Sequence, residues 1–278
     1  LTQVKAMMLV TVWVFIGVEG ASVFSERARE RRDVGRATIT GFASVLALLL
    51  LVNLLSYGIA LREDIAELDD PSMSGVLTEA VGPWGAKFIA AGLAISLIGA
   101  LLSWFLMCAE ILRVPALDGT MPRWFSRENK NGTPVGAMWL TSGMIQLVLI
   151  WTYFVGSNYT RLILLASALI LIPYLFSAAF HLINSFRNRE RSGIGNIIIG
   201  TLGTAYAIWL LYAAGPTYLL FVGLFYLAGT PFYIVARKQA GEKIFTTIDW
   251  IVLAIFSLTS VYAIYGLYMG FYADALSG

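Results

Sequence analysis

The sequence is poor in charged residues, cysteine and histidine. Charged residues make up 13% of the 278 residues and hydrophobic residues 58%, whereas soluble domains carry about 25% charged residues. The one cysteine, Cys108, offers no disulfide framework, and the one histidine, His181, excludes a multi-histidine metal site. The composition is that of an integral membrane protein, and it indicates no cofactor or metal.

Signatures of soluble enzymes are missing as well. The sequence contains no Gly-x-Ser-x-Gly, no Gly-x-x-x-x-Gly-Lys and no His-Glu-x-x-His. The basic run at residues 27–32 borders a hydrophobic stretch, where membrane topology explains it better than nucleic-acid binding does. We therefore expect neither an enzyme nor a nucleic-acid partner.

Eight stretches are long and apolar enough to cross the roughly 30 Å hydrocarbon core, which takes about 20 residues. They lie at residues 4–25, 36–60, 85–112, 134–155, 160–186, 196–213, 217–236 and 248–272. Every second connection between these stretches is basic: the segments 26–36, 113–130, 187–191 and 237–243 together hold 15 of the 19 Lys and Arg residues. Because basic residues mark the cytoplasmic side, we predict a multi-pass protein of a cell membrane, expected to be a bacterial inner membrane. The chain starts and ends outside.

A carboxylate lies within the first of these stretches. Glu19 would cost roughly 2.5–3.5 kcal/mol at the centre of a bilayer, and its neighbours Gly17 and Gly20 each weaken a helix by about 1 kcal/mol. In an intact helix, Trp13 and Glu19 would lie on different faces. If the chain unwinds around residues 16–18, both can face one cavity. We predict a discontinuous helix with a binding site; the alternative is a continuous helix whose Glu19 pairs with a neighbouring helix.

The third stretch contains a stripe of small residues beside a tryptophan. Gly92, Ser96, Gly99 and Ser103 share this stripe, which favours close helix packing, and Trp104 follows it. Trp104 either stacks on a cationic ligand or packs in the core. Two further residues, Glu110 and Arg113, lie one turn apart and are expected to pair locally.

The fifth stretch contains a proline and a tyrosine side by side. Pro173 cannot donate a backbone hydrogen bond and is expected to kink the helix. Tyr174 is either part of a gate or an aromatic side chain packed at the kink.

Three segments together resemble the amino acid–polyamine–organocation transporter superfamily, and within it the arginine:ornithine group of basic amino acid antiporters. They are residues 13–22, residues 99–104 with the following 118–122 and 129–135, and residues 172–176. The resemblance covers nearly the whole chain. It implies an all-α integral membrane protein whose eight transmembrane helices correspond to the second half of a LeuT-like inverted-repeat transporter plus C-terminal helices. Residues 1–278 would form a single transmembrane domain, with the second repeat at about 1–186 and additional helices at about 196–272.

The resemblance also implies roles for individual residues. The substrate-binding positions would be Trp13, Ile16, Gly17, Trp104 and Ser167. Trp13 would close over the substrate, the backbone around Ile16 would meet its α-amino group, and Trp104 would stack on its aliphatic chain. Position 166, where relatives carry a substrate-contacting serine, is alanine here, and Ser167 is its neighbour.

Two further residues would have gating roles under the same resemblance. Glu19 would be a gating or proton-linked carboxylate, and Tyr174 would belong to the gate in its helix. Neither role involves a metal.

The implied function is exchange of cationic amino acids, such as arginine and ornithine, by alternating access. The substrate and the lipid bilayer would be its partners, and self-association is left open. The first five helices of such a transporter are expected outside this chain, which begins with leucine. The alternatives are a proton-coupled amino acid permease of the same superfamily and a non-transporting membrane subunit that needs a partner chain.

Overall fold

The computed structural model describes residues 2–155 and 159–269. Within these residues the regular structure is helical, apart from an isolated bridge between Glu128 and Pro134. Six helices are long and apolar enough to cross a membrane: Arg31–Ser56, Trp84–Leu117, Val135–Phe154, Leu162–Arg187, Gly193–Ala240 and Thr247–Gly266. Helices satisfy their own backbone hydrogen bonds, which lipid cannot do. The predicted all-α integral membrane protein is confirmed.

The helices are numbered in chain order. They are α1 (Thr2–Phe15), α2 (Gly20–Val23), α3 (Arg31–Ser56), α4 (Arg62–Ala66), α5 (Ser72–Val81), α6 (Trp84–Leu117), α7 (Val135–Val155), α8 (Tyr159–Arg187), α9 (Arg189–Ala240) and α10 (Thr247–Tyr268). Short 3-10 turns lie at Ser25–Arg27 and Arg123–Ser126. The predicted stretches 36–60, 85–112, 134–155 and 160–186 correspond to α3, α6, α7 and α8, with ends that differ by up to five residues. The last predicted stretch, 248–272, extends beyond the described residues.

The long helix α9 is kinked at Gly215. Gly215 has φ of 79°, which suits glycine, and Pro216 follows it. Leu210 belongs to the same buried cluster as Leu171 of α8, and Tyr226 donates a hydrogen bond to the Leu169 carbonyl at 3.2 Å. Sixteen residues of straight helix would span about 24 Å, whereas two residues of α8 span about 3 Å. A straight α9 could not bring both residues to these positions on α8, so the helix is sharply kinked at Gly215, between the predicted stretches 196–213 and 217–236.

Two compact units can be distinguished in the chain. The first contains residues 2–16 and 119–123 and, from residue 145 on, the helices α8, α9 and α10. Its core is a buried cluster from α1, α8 and α9: Leu9, Val12, Leu171, Leu210 and Ala214. Pro173 lies inside α8, which continues from Tyr159 to Arg187.

The second unit contains residues 17–118 and 124–144. Gly85 at the start of α6 lies so close to α5 that a Cβ would be 2.7 Å from the Leu77 carbonyl oxygen. The small-residue stripe on α6 behaves differently: Gly92, Ser96 and Gly99 are exposed. The close packing predicted for this stripe is wrong as far as the described helices are concerned, because none of them covers it.

Close packing between α8 and the first half of α9 leads to a prediction. A Cβ at Gly200 would lie 2.9 Å from the Leu182 Cα, whereas a Cβ at Gly203 would lie 3.8 Å from the Ala178 Cβ, an ordinary contact. Gly200→Ala is expected to destabilise the protein by about 1–3 kcal/mol because it forces two backbones apart, and Gly203→Ala is the matched control. Thermal unfolding in detergent measures both. Equal unfolding midpoints would contradict the packing described.

Candidate functional site

The first predicted crossing contains a helix break. Helix α1 ends at Phe15, residues 16–19 form a turn, and α2 begins at Gly20. Gly17 has φ of 104°, in a region that side-chain-bearing residues rarely adopt. The predicted discontinuity around residues 16–18 is confirmed, and the alternative of a continuous helix is wrong.

The Glu19 side chain binds the backbone at this break. Its Oε2 accepts a hydrogen bond from the Gly17 N–H at 2.9 Å. In a continuous helix that N–H would donate to the Trp13 carbonyl. An unsatisfied backbone group costs several kcal/mol in lipid, so the carboxylate stabilises the break that surrounds it. The sequence suggested a ligand-facing carboxylate but did not indicate this contact.

The Trp104 indole lies against the same glycine. A Cβ on Gly17 would be 3.2 Å from Trp104 Cζ2 and 3.4 Å from Cη2. Trp104 is nevertheless 40% exposed, so its ring covers the break and also presents open aromatic surface. This geometry leaves room for both predicted roles, packing against the bundle and stacking on a ligand.

Three residues of α6 contact the segment that begins at the break. Trp104 contacts Gly17, and the Met107 sulfur would be 3.5 Å from a Cβ on Gly20. Further along, Glu110 pairs with Arg27. The three α6 residues are spaced by three positions, so they form one ridge on the helix surface.

An ion-pair network lies at the end of this ridge. Glu110, whose side chain is 3% exposed, accepts from Arg113 at 3.0 Å and from Arg27 at 3.3 Å. Arg113 also donates to Glu128 at 2.6 Å and lies 3.5 Å from Glu26. The predicted local pair Glu110–Arg113 is confirmed. The other partners come from residues distant in sequence, and the basic run at 27–32 was the one signal of them.

The first unit contains the candidates on α8. Ser167 is fully buried, and its hydroxyl has no hydrogen-bond partner among the described residues, which is rare for a buried polar group. Tyr174 is half-buried seven residues later, hence on the same helical face. Leu171 lies between them on this face and packs with Val12 of α1.

The two units divide the predicted site residues. The first contains Trp13, Ile16, Ser167 and Tyr174, and the second contains Gly17, Glu19 and Trp104. Within the second, Gly17 contacts both other residues. Within the first, Trp13 is half-buried in the last turn of α1, and Ile16 packs against the buried cluster. No group of three His, Cys, Asp or Glu side chains suited to a metal ion occurs in the described ranges.

Comparison with known proteins places these features in a family. Residues 2–268 match the family model for amino acid permeases. The chain is 46% identical to an arginine/ornithine antiporter of Pseudomonas aeruginosa, over 98% of this chain and 58% of that protein. It is 41% identical to a putative arginine/ornithine antiporter of Escherichia coli, over 93% of this chain and 55% of that protein.

A relative named for a different substrate matches over a similar length. The L-lysine transport protein of Corynebacterium glutamicum is 36% identical, over 96% of this chain and 57% of that protein. The chain thus spans little more than half the length of the curated relatives it matches.

The geometry of the break leads to a second prediction. Gly17→Ala places a Cβ against the Trp104 ring and forces a strained φ, so it is expected to destabilise the protein by about 1–3 kcal/mol. Gly20→Ala is the matched control, because its Cβ would make an ordinary contact at 3.5 Å. Thermal unfolding of the complete gene product compares the two. If both variants unfold at the same temperature, Gly17 is not required by the break.

Proposed function

Because this chain belongs to the amino acid permease family, we propose that it forms part of an antiporter that exchanges cationic amino acids, such as arginine for ornithine, across the cytoplasmic membrane by alternating access. Members of this family are multi-pass membrane transporters, and two relatives carry the name arginine/ornithine antiporter. The observation that carries the proposal is the helix break at Gly17, with a carboxylate bound to its backbone and an indole packed on it.

The proposed topology has eight membrane crossings. Helices α1 and α2 together would make one discontinuous crossing, and α9 would cross twice, with the kink at Gly215 between its two halves. The arrangement would correspond to the second half of a LeuT-like inverted repeat at about 1–186, followed by C-terminal helices at about 196–272, within a single transmembrane domain. Five further helices of the same transporter would supply the rest of the fold. Formation of a homo-oligomer is compatible with this topology.

The unwound backbone of a broken transmembrane helix can bind the ammonium and carboxylate groups of an amino acid. Unwound carbonyls attract an ammonium group, and the free N–H groups of a half-helix attract a carboxylate. In the first unit, the Ile16 backbone would meet the α-amino group, Trp13 would close over the substrate, and the unpartnered Ser167 hydroxyl would donate to it. Tyr174, on the face of Ser167, would belong to the gate.

In the second unit, Gly17 and Trp104 would contact the substrate, and the Glu19 carboxylate would interact with its positive charge. The Glu19 carboxylate has several acceptor positions, so it can accept from a substrate ammonium as well as from the Gly17 N–H. A cation bound there would attract the carboxylate and could change its hydrogen bond with the Gly17 N–H. Glu19 would thereby link the occupancy of the site to the shape of the broken helix.

A proton-coupled permease for the same class of substrate is the second candidate. Glu19 is the observation that favours it, because a half-buried carboxylate can carry a proton across the transport cycle. A permease of this kind would respond to a pH gradient, whereas an antiporter responds to the amino acid on the opposite side.

Counterflow of labelled arginine into ornithine-loaded proteoliposomes, with the complete gene product, tests the proposal. The unmodified protein is expected to accumulate label, and Glu19→Gln to lose at least about tenfold in rate, because an amide cannot neutralise a cation or carry a proton. The Gln oxygen still accepts the Gly17 N–H, so membrane insertion should survive. Glu63→Gln, at an exposed residue of α4, is the control. Unchanged counterflow in Glu19→Gln would remove this residue from the mechanism.

Substitutions of Trp104 distinguish a role in stacking on the substrate from a role in packing. A cation–π contact contributes about 0.5–2 kcal/mol, so Trp104→Leu is expected to raise the KM for arginine by about 2- to 30-fold while Trp104→Phe retains part of the affinity. Trp139→Leu, at a residue of α7 that is 75% exposed, is the control. An unaltered KM in Trp104→Leu would assign the indole to packing alone.

A further inference from the structure

The buried carboxylate of Glu110 has two arginine partners that differ in kind. Arg113 lies three residues later on the same helix, donates from Nη1 at 3.0 Å and is 16% exposed. Arg27 comes from the turn after α2, donates from Nη2 and Nε at 3.3 and 3.4 Å, and is 55% exposed. The first partner lies slightly closer and is shielded, and the second makes two longer hydrogen bonds from a side chain that is more than half exposed.

Arg113, which lies 3.5 Å from Glu26, is also held in place by residues outside the 17–27 segment. Its Nε donates to Glu128 at 2.6 Å, and its position on α6 fixes it one turn from Glu110. A buried carboxylate without a partner is strongly destabilising. Arg113 therefore supplies the charge that Glu110 needs, whatever the position of the segment that contains Arg27.

Arg27 can leave at little cost. Arg27 is 55% exposed, so water can solvate its guanidinium group after release, as it does for the ion pairs of exposed side chains, which contribute little to stability. After its release, Glu110 would still be paired with Arg113. The contact is therefore reversible, which a buried pair with a single cation would not be.

Release of Arg27 would remove the two-point contact with Glu110 at one end of a short segment and leave there the longer Glu26–Arg113 pair, at 3.5 Å. Residues 17–27 lie along the α6 ridge, with Gly17 against Trp104, Gly20 against Met107 and Arg27 against Glu110. Helix α2 has four residues, too few to be stable without such contacts. The loop charges place the Arg27 end on the cytoplasmic side.

We propose that the Arg27–Glu110 ion pair is a releasable latch, which holds the cytoplasmic end of residues 17–27 against α6, and that Arg113 is the permanent counter-ion of Glu110. The latch opens when this part of the discontinuous helix moves during transport. This role rests on the proposed alternating access, but the contact itself can be tested without transport.

The test measures the exposure of Ala28, the residue after Arg27. Ala28→Cys is introduced into the complete gene product with its native cysteines replaced, and a membrane-impermeant maleimide is added to inside-out vesicles. Arg27→Gln is expected to raise the labelling rate about two- to fivefold, the effect of losing a partly exposed ion pair. Arg29→Gln is the matched control: it removes the same charge from the other neighbour of residue 28, and Arg29 is exposed. The control should leave the rate unchanged.

Two further variants separate a latch from a merely structural cluster. Glu110→Gln combined with Arg27→Gln should label at the rate of Arg27→Gln alone, because Arg27→Gln has already broken the one contact of Glu110 with residues 17–27 that the proposal invokes. Arg113→Gln should instead lower the yield of folded protein, whereas Arg27→Gln should not. The proposal is overturned if Arg27→Gln labels like the unmodified protein or like Arg29→Gln, or if it lowers the yield as much as Arg113→Gln does. None of these results depends on counterflow, so failure of the latch leaves the exchange proposal standing. Failure of exchange would leave the Arg27–Glu110 contact standing but remove its role in transport.

Discussion

Unpaired backbone groups cost several kcal/mol in hydrocarbon, and this constraint governs where the chain can depart from a helix. At Gly17 the chain does so inside a predicted crossing, with φ of 104°. The break is stabilised locally, since the Glu19 carboxylate accepts the freed N–H and the Trp104 indole packs on the glycine. The carboxylate thus replaces the backbone hydrogen bond that the helix loses at Gly17, and the aromatic ring covers the exposed backbone. We propose that both groups also contact a cationic amino acid.

Helix α6 connects this break to the charged end of the segment that follows. Its ridge begins at Trp104 and ends at Glu110, where a buried carboxylate meets arginines from two elements. The same helix therefore supports the polar backbone at one end of residues 17–27 and an ionic contact at the other. One contact is apolar and close, and the other is exposed and reversible. Motion of the segment is easier to begin at Arg27 than at Gly17.

The sequence predicts the local features of this arrangement well. A glutamate between two glycines in an apolar stretch indicates the break, and Gly215-Pro216 separates two stretches that the structure shows as halves of α9. Contacts between distant residues were not predictable: Arg27 and Glu110 are 83 positions apart, and the basic run at 27–32 indicates a charged partner without identifying Glu110. The stripe at Gly92, Ser96 and Gly99 shows the opposite error, because small residues permit close packing without requiring a described partner.

The central claim is that the broken helix serves an exchange of cationic amino acids. The most direct test follows both substrates in one preparation: proteoliposomes containing the complete gene product are loaded with labelled ornithine, and arginine with a second label is added outside. We expect ornithine to leave only when arginine is present and in an amount equal to the arginine that enters. Arginine entry that proceeds equally in vesicles without ornithine would contradict the account.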